Sequence, residues 1–297
     1  MLAIPLEFAA RVRREEPMSR HTSWHVGGPA DVWFVPADRG DLAAFLGALS
    51  PEVPIHWVGL GSNLLVRDGG VRGVVIGTHG AFSRLQRVGE QWIEADCGVA
   101  CARVARQCIR FGLGPAEFFA GIPGTIGGAL AMNAGAFGEE TWSRVVEVET
   151  IDRSGAIRRR PAAEYRIGYR RVIPPKPEEW FIGARLVFEP RPEATLRRVQ
   201  ELLVRRRETQ PIGDWSCGSV FTNPPGDHAA RLIEACGLKG FRIGGGVVSA
   251  RHANFIINEG EATARDLEQL VAHVQATVER RTGIRLEPEV RMIGESA

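Results

Sequence analysis

GIPGTIGGALAMNAGAFG, residues 121–138, is the stretch on which the reading of this chain turns. Six of its eighteen residues are glycine, and the nearest charges are Glu117 before it and Glu139 after it. A segment so poor in side chains builds no core of its own, yet it brings backbone N–H groups close to a phosphate or a flat ring. It reads as half of a cofactor cradle. On this stretch alone, a buried glycine-rich packing turn is an equal alternative.

A second glycine-punctuated stretch lies upstream, PIHWVGLGSNLLVRDGGVRGVVIGT, residues 54–78. A strand over Ile55–Val58 enters a sharp turn, GLGSN, and a second strand follows. Leu64 stands where a dinucleotide fingerprint needs its third glycine, and a second strand follows in place of a helix, which argues against a Rossmann unit. No lysine sits where a phosphate-binding Walker loop needs one. What remains is a turn rich in backbone donors, with Ser62 and Asn63 adding side-chain bonds, which suits a diphosphate and equally makes a plain turn.

The rest of the composition is that of a globular protein. With 297 residues, 44% of them hydrophobic, the chain is long enough for two or three units with cores. Thirty-seven basic and 35 acidic residues leave a net charge of +2, so nucleic acid is not the default partner. Only Lys176 and Lys239 are lysine; the remaining basic residues are arginine. The cysteines, Cys97, Cys101, Cys108, Cys217 and Cys236, are odd in number and lack ligand-like spacing, which argues against disulfides and a metal site. No segment resembles a signal peptide or a membrane span, and a cytoplasmic protein is expected.

Along the chain, residues 1–18 read as a short helix, and helical spacing recurs at Leu42–Leu49 and from about Val99 to Phe111. Strands are read at Val32–Val35, on both sides of Gly89, at Val145–Ile151 and in FIGARLVFEP. Pro190 and Pro192 precede an arginine-rich bridging helix, roughly residues 194–208. Beyond it come short strands near Val247 and Phe255–Ile257, a helix capped at Thr263, and a closing strand in IRLEPEVRMIG. Helices and strands alternate without a parallel-sheet rhythm, so the class is α+β.

Seven motifs in order, GLGSNLLV, GIPGTIGGALAMNAGAFG, IGYR, GSVFTNPPGD, GLKGFRIGGGVVS, ANFIINEG and LEPEVR, make nearly the whole chain, from about Ser19 to Gly294, resemble the UDP-N-acetylenolpyruvoylglucosamine reductase family of peptidoglycan precursor synthesis. The resemblance implies a vanillyl-alcohol-oxidase-type FAD-binding domain of two α+β subdomains, residues 1–75 and 76–192. A smaller α+β substrate-binding domain, residues 193–297, follows. It implies that Gly59, Gly61, Ser62 and Asn63 hold the FAD diphosphate. Gly121, Gly124, Thr125, Gly127, Gly128, Asn133, Ala134 and Gly135 would border it and the flavin, and Arg206 would lie near flavin and substrate.

The family's reaction passes a hydride from NADPH through FAD to the vinyl carbon of an enolpyruvyl ether, giving UDP-N-acetylmuramate. Charge then builds on the carboxylate and α-carbon of the substrate, which calls for a cation, an acid and a proton donor. The resemblance assigns these to Arg170 in IGYR, Glu289 in LEPEV and Ser219 in GSVF. A two-pronged guanidinium suits a carboxylate, and serine, a very weak acid, suits only a strongly basic enolate. Lys239, Asn223 and Tyr169 match substrate positions. Taken singly, each residue reads equally well as surface, cap or turn.

Departures from the family pattern are Thr222 and Thr209, where lysine is frequent, and Val172, where serine is frequent. They weaken the expectation for diphosphate contacts more than that for the chemistry. The short run between Phe188 and the bridging helix matches the subclass without an additional tyrosine loop. Two further readings stand beside the reductase: a flavin oxidoreductase of the same fold acting on another small molecule, and a non-catalytic nucleotide-sugar-binding protein. The expected partners are the substrate and NADPH, with no nucleic acid, membrane or metal, and a monomer is expected.

Overall fold

In the computed structural model, which describes residues 2–297, a five-stranded antiparallel sheet forms where apolar and polar residues alternate. Its order is Ile157–Pro161, Val145–Asp152, Glu179–Val187, Trp92–Asp96, Leu85–Val88. Ile93, Ala95, Val148, Ala184 and Leu186 point from it into one core. The helix Cys101–Arg110 packs there because Cys101, Val104, Ala105, Cys108 and Ile109 fall on one face at helical spacing. Full burial of a Val or Ile side chain contributes about 1.5–3 kcal/mol. Gly112, at φ 65°, turns the chain out of the helix.

A four-stranded sheet has the order Val12–Pro17, Pro29–Phe34, Val71–Gly77, Ile55–Val58, and its last pair is parallel, with Ile55 opposite Val74 and Val58 opposite Gly77. The chain divides into two compact units. The first comprises the segment ending at Arg13, Trp33–Leu60 and Val74–Val204; the second comprises Arg14–Val32, Gly61–Gly73 and Arg205–Ala297.

The second unit is built on the helix Ala264–Thr282, which buries Leu267, Leu270, Val271, Val274 and Val278 against Ile233, Val248, Ile256 and Leu286. Both halves of the predicted capping box form, Thr263 with the Asp266 N–H and Asp266 with the Thr263 N–H. Asp68 accepts the N–H groups of Ala264 and Arg265 at 3.0 and 2.9 Å, so three first-turn donors are satisfied by carboxylate or hydroxyl oxygens. Gly283 closes the helix at φ 73°. Short strands Trp215–Ser216, Ile256–Asn258, Gly246–Val248 and Arg242–Ile243 form a four-stranded sheet, and Arg291–Ile293 pairs in parallel with Leu64–Val66.

Three local expectations differ. Before Met18 there is one 3-10 helix, Leu6–Arg11, and then the strand Val12–Pro17, because sheet pairing outweighs local helical spacing. The closing strand spans only Arg291–Ile293, since Pro288 lacks an N–H for a ladder. The glycine-rich stretch contains a seven-residue helix, Ile126–Met132. Among the described residues no helix is long and apolar enough to cross a membrane.

Candidate active site

In the first unit the two glycine-rich stretches meet. Gly59 ends the strand Ile55–Val58, and a Cβ added to it would lie 2.3 Å from Oγ1 of the buried Thr125. The N–H groups of Ile126 and Gly127 are spent on the carbonyls of Val99 and Cys97, at 2.9 and 2.8 Å. A Cβ on Gly127 would lie 2.9 Å from that of Cys97, so glycine there answers a packing demand. Gly121 likewise packs tightly on Ala136 and Phe137, and Gly135 on the Glu139 carbonyl. Gly128 is different: it is exposed, and only Thr125 Oγ1, at 4.0 Å, comes near its Cβ position. Within this unit the uncharged backbone around Gly59, Thr125 and Gly128 therefore suits a flat or multiply accepting group such as FAD.

The strand end behind this surface is fixed by charge. Arg39 donates to Asp96 and Glu149 at 2.7 and 2.8 Å, and the next residue, Cys97, receives the Gly127 N–H. Burial alone would lower the Arg39 pKa, but the hydrogen bonds to Asp96 and Glu149 outweigh it and raise it. Burial pushes the thiols of Cys97 and Cys101 up strongly and that of Cys108 up to about 12, as suits core residues rather than nucleophiles.

Asn133 ends the helix Ile126–Met132 in the left-handed region at φ 49° and is 1% exposed. Its amide donates to Glu140 Oε2 at 2.8 Å and to the Gly168 carbonyl at 3.1 Å, and accepts the Trp142 N–H at 3.1 Å. These contacts make it a strut inside the protein. Its own carbonyl and that of Gly135 accept Arg170 Nη1 and Nη2, both at 3.2 Å, and Glu140 stands 3.7 Å from Nη1. Arg170 lies at φ 53° in the turn of the hairpin Arg166–Ile173, its guanidinium 5.0 Å from the ring centre of the exposed Tyr169. Ala134 is buried, and its carbonyl accepts Thr141 Oγ1 at 2.7 Å. Gly124 accepts the Cys101 N–H at 2.9 Å. Sequence reading missed Glu140, whose only signal is its place as the second acid after the glycine stretch.

In the second unit, Gly61 is held at φ 62° with its Cβ position 1.9 Å from the His21 carbonyl, and Ser62 is half-buried beside it. Asn63 donates its side-chain amide to the Glu289 carbonyl at 2.9 Å, tying one predicted cradle residue to one predicted catalytic residue. Ser219 is half-buried, and Val220 beside it receives the Glu289 N–H on its carbonyl at 2.7 Å. Burial raises the Cys217 thiol well above its ordinary value, and the Glu289 charge adds to the effect.

The substrate candidates have intrachain partners. Lys239 pairs with Glu234 at 2.7 Å, and Asn223 Oδ1 accepts the Ala229 N–H at 3.0 Å. Arg206 donates to Gln210 at 2.6 Å, and burial lowers its pKa. Among the described residues no group of three or more His, Cys, Asp or Glu is placed to hold a metal ion.

Comparison with known proteins gives the same outline. Residues 30–160 match the FAD binding domain family, and residues 210–293 match the C-terminal domain of UDP-N-acetylenolpyruvoylglucosamine reductase. The chain is 59% identical to the UDP-N-acetylenolpyruvoylglucosamine reductase of Alkalilimnicola ehrlichii over 96% of its own length and 95% of the relative's. It is 54% identical to that of Methylococcus capsulatus, over 95% and 92%. The crystal structure of the Thermus caldophilus enzyme superposes with a TM-score of 0.80 at 34% identity, covering 95% of this chain and 98% of that one.

Proposed function

The chain belongs to the UDP-N-acetylenolpyruvoylglucosamine reductase family, and on that premise we propose that it reduces UDP-N-acetylglucosamine enolpyruvate to UDP-N-acetylmuramate, with NADPH as hydride donor. It is an FAD-dependent oxidoreductase. The observation that carries the reading is likeness over nearly the full length of both chains, with the FAD binding domain and the reductase's C-terminal domain both matched. The product is a peptidoglycan precursor, which places the enzyme in the cytoplasm, in cell-wall construction, and so in cell shape and division. We take it to act as a monomer, divided into two FAD subdomains, 1–75 and 76–192, and a substrate domain, 193–297.

The backbone at Gly59, Gly61, Gly124 and Gly128, with Ser62, Asn63 and Thr125, would hold FAD, and Gly121, Gly127, Asn133, Ala134 and Gly135 would shape that wall by packing closely behind it. The chemistry FAD supplies when bound is two-electron hydride transfer from NADPH to the terminal vinyl carbon. Arg170 clamps the substrate carboxylate and stabilises the charge that builds there; the Asn133 and Gly135 carbonyls behind it fix the guanidinium plane. Ser219 hands the proton on its Oγ to the α-carbon, and Glu289, protonated as charge develops, assists the carboxylate. Lys239, Asn223, Tyr169 and Arg206 complete the substrate surface. A diphosphate reaching Lys239 exchanges with Glu234, one anion for another.

The purified protein should be yellow, and NADPH oxidation should depend on UDP-N-acetylglucosamine enolpyruvate; colourless protein, or oxidation indifferent to that substrate, sinks the reading. Ser219→Ala should leave bleaching of the flavin by NADPH intact and slow its reoxidation by substrate. Equal loss of both half-reactions removes the proton-donor role.

A further inference from the structure

Asn254 lies in the motif ANFIINEG, whose side chains the sequence left without a role, and its amide is engaged at the segment that carries Ser219. It is 4% exposed. Its Oδ1 accepts the Phe221 N–H at 3.0 Å, and its Nδ2 donates to the Phe221 carbonyl at 2.8 Å. A primary amide has the donor and acceptor of a peptide unit, so Asn254 makes the paired bonds that a neighbouring strand residue would make. Its backbone adds a third bond, the Asn254 carbonyl accepting the Val220 N–H at 2.9 Å.

The stretch around Glu289 holds the other side of this segment. The Val220 carbonyl accepts the Glu289 N–H at 2.7 Å, the Thr222 N–H goes to the Glu287 carbonyl at 2.9 Å, and Phe221 bridges to Pro288. Val220 and Phe221 are 1% and 2% exposed, so no water substitutes for a lost partner. Ser219 and Glu289 thus flank one isolated bridge, Phe221 with Pro288, and an amide side chain holds the other side of Phe221.

We propose that Asn254 is a positioning residue for the reduction: its side-chain amide sets the register of Ser219 against Glu289, and so the place from which the proton is delivered. The inference rests on the reading of Ser219 as proton donor. Asparagine is the residue this position requires. Leucine would fill the volume and orphan both Phe221 backbone groups, and aspartate would lose the donor and bury a charge.

The test is a cycle of Asn254→Ala and Ser219→Ala, alone and together, in the FAD-loaded full chain. Asn254→Ala should bleach with NADPH at a rate within about twofold of the unsubstituted enzyme and reoxidise with substrate roughly 10- to 100-fold more slowly, as for a misplacement of about 1 Å. In the Ser219→Ala background the same change should slow reoxidation less than about threefold, since no donor is left to place. Equal slowing in both backgrounds, or slowed bleaching, overturns the inference and leaves the proposed function standing. A Ser219→Ala enzyme that reoxidises at the unsubstituted rate overturns the proton-donor role and this inference together. Hydrogen exchange on the unsubstituted holoenzyme decides the matter even if Asn254→Ala fails to fold. The Val220, Phe221 and Glu289 amides should exchange as slowly as those of the helix Ala264–Thr282, and rapid exchange at Phe221 refutes the clamp.

Discussion

Gly59→Ala tests whether the two glycine-rich stretches form one surface. The added Cβ would lie 2.3 Å from Thr125 Oγ1, 3.1 Å from its Cγ2 and 3.2 Å from its Cβ. An ordinary contact is about 3.5–4 Å, so the overlap is more than an ångström. Thr125 is β-branched and 2% exposed, so turning its side chain exchanges one clash for another and the backbone has to yield. Overpacking of this kind costs about 1–3 kcal/mol. Because the backbone that yields is the surface assigned to FAD, the same strain should raise the FAD dissociation constant by roughly 5- to 150-fold, at 1.4 kcal/mol per tenfold. The assay is titration of apoprotein by quenching of flavin fluorescence, with chemical denaturation of the apoprotein alongside. Thr125→Ala should destabilise the unsubstituted protein yet recover most of the loss in Gly59→Ala, since it removes the two nearest atoms. Additive losses in the double variant would refute the contact. Unchanged FAD affinity in a measurably destabilised Gly59→Ala protein would refute the assignment of this surface.

Three further outcomes follow from the same geometry. Asn133→Ala and Asn133→Gly both lose the three side-chain hydrogen bonds, but only alanine keeps the left-handed penalty, so the glycine variant should be about 1 kcal/mol more stable in urea; equal stabilities would remove the backbone contribution. Thr263→Ala breaks the capping box and should cost about 1 kcal/mol, a fall of about 2–4 °C in Tm, limited by Asp68, which still holds the next two N–H groups; an unchanged Tm would mean Asp68 suffices. Burial works to raise the Asp152 carboxyl, but hydrogen bonds from Ser154, Arg158 and the Ala156 N–H outweigh it and bring its pKa down to about 2. Its folded value lies below the unfolded value of about 4, so its stabilisation is present above pH 4 and lost as the pH falls toward 2. Asp152→Asn should flatten the melting temperature against pH in that window, and an unchanged slope would refute the contribution.

How far the sequence reads is best judged from particular residues. The helix Ala264–Thr282 is written locally in its apolar spacing, the Thr263–Asp266 box and Gly283, and the strand Ile55–Val58 in its bounding turns. The ordered motifs carry the α+β class, the FAD-binding domain and the reductase family on their own, because backbone close to a cofactor tolerates few residue types. The destinations of side chains are not written locally. Asn63 reads as a diphosphate ligand, but its amide reaches the Glu289 carbonyl, 226 residues away. Asn133 reads as a cofactor contact and becomes the strut behind Arg170. Asn254 belongs to the motif ANFIINEG, but the motif does not say what its side chain does, and only Phe221 opposite it reveals the clamp. Sequence by itself determined which stretches are bare and where the long helices lie, because those depend on neighbours along the chain, whereas Val12–Pro17 reads as helix and is a strand through sheet pairing. Tertiary structure alone decided which amide meets which backbone group, because a buried donor takes whatever acceptor the packing of distant segments delivers.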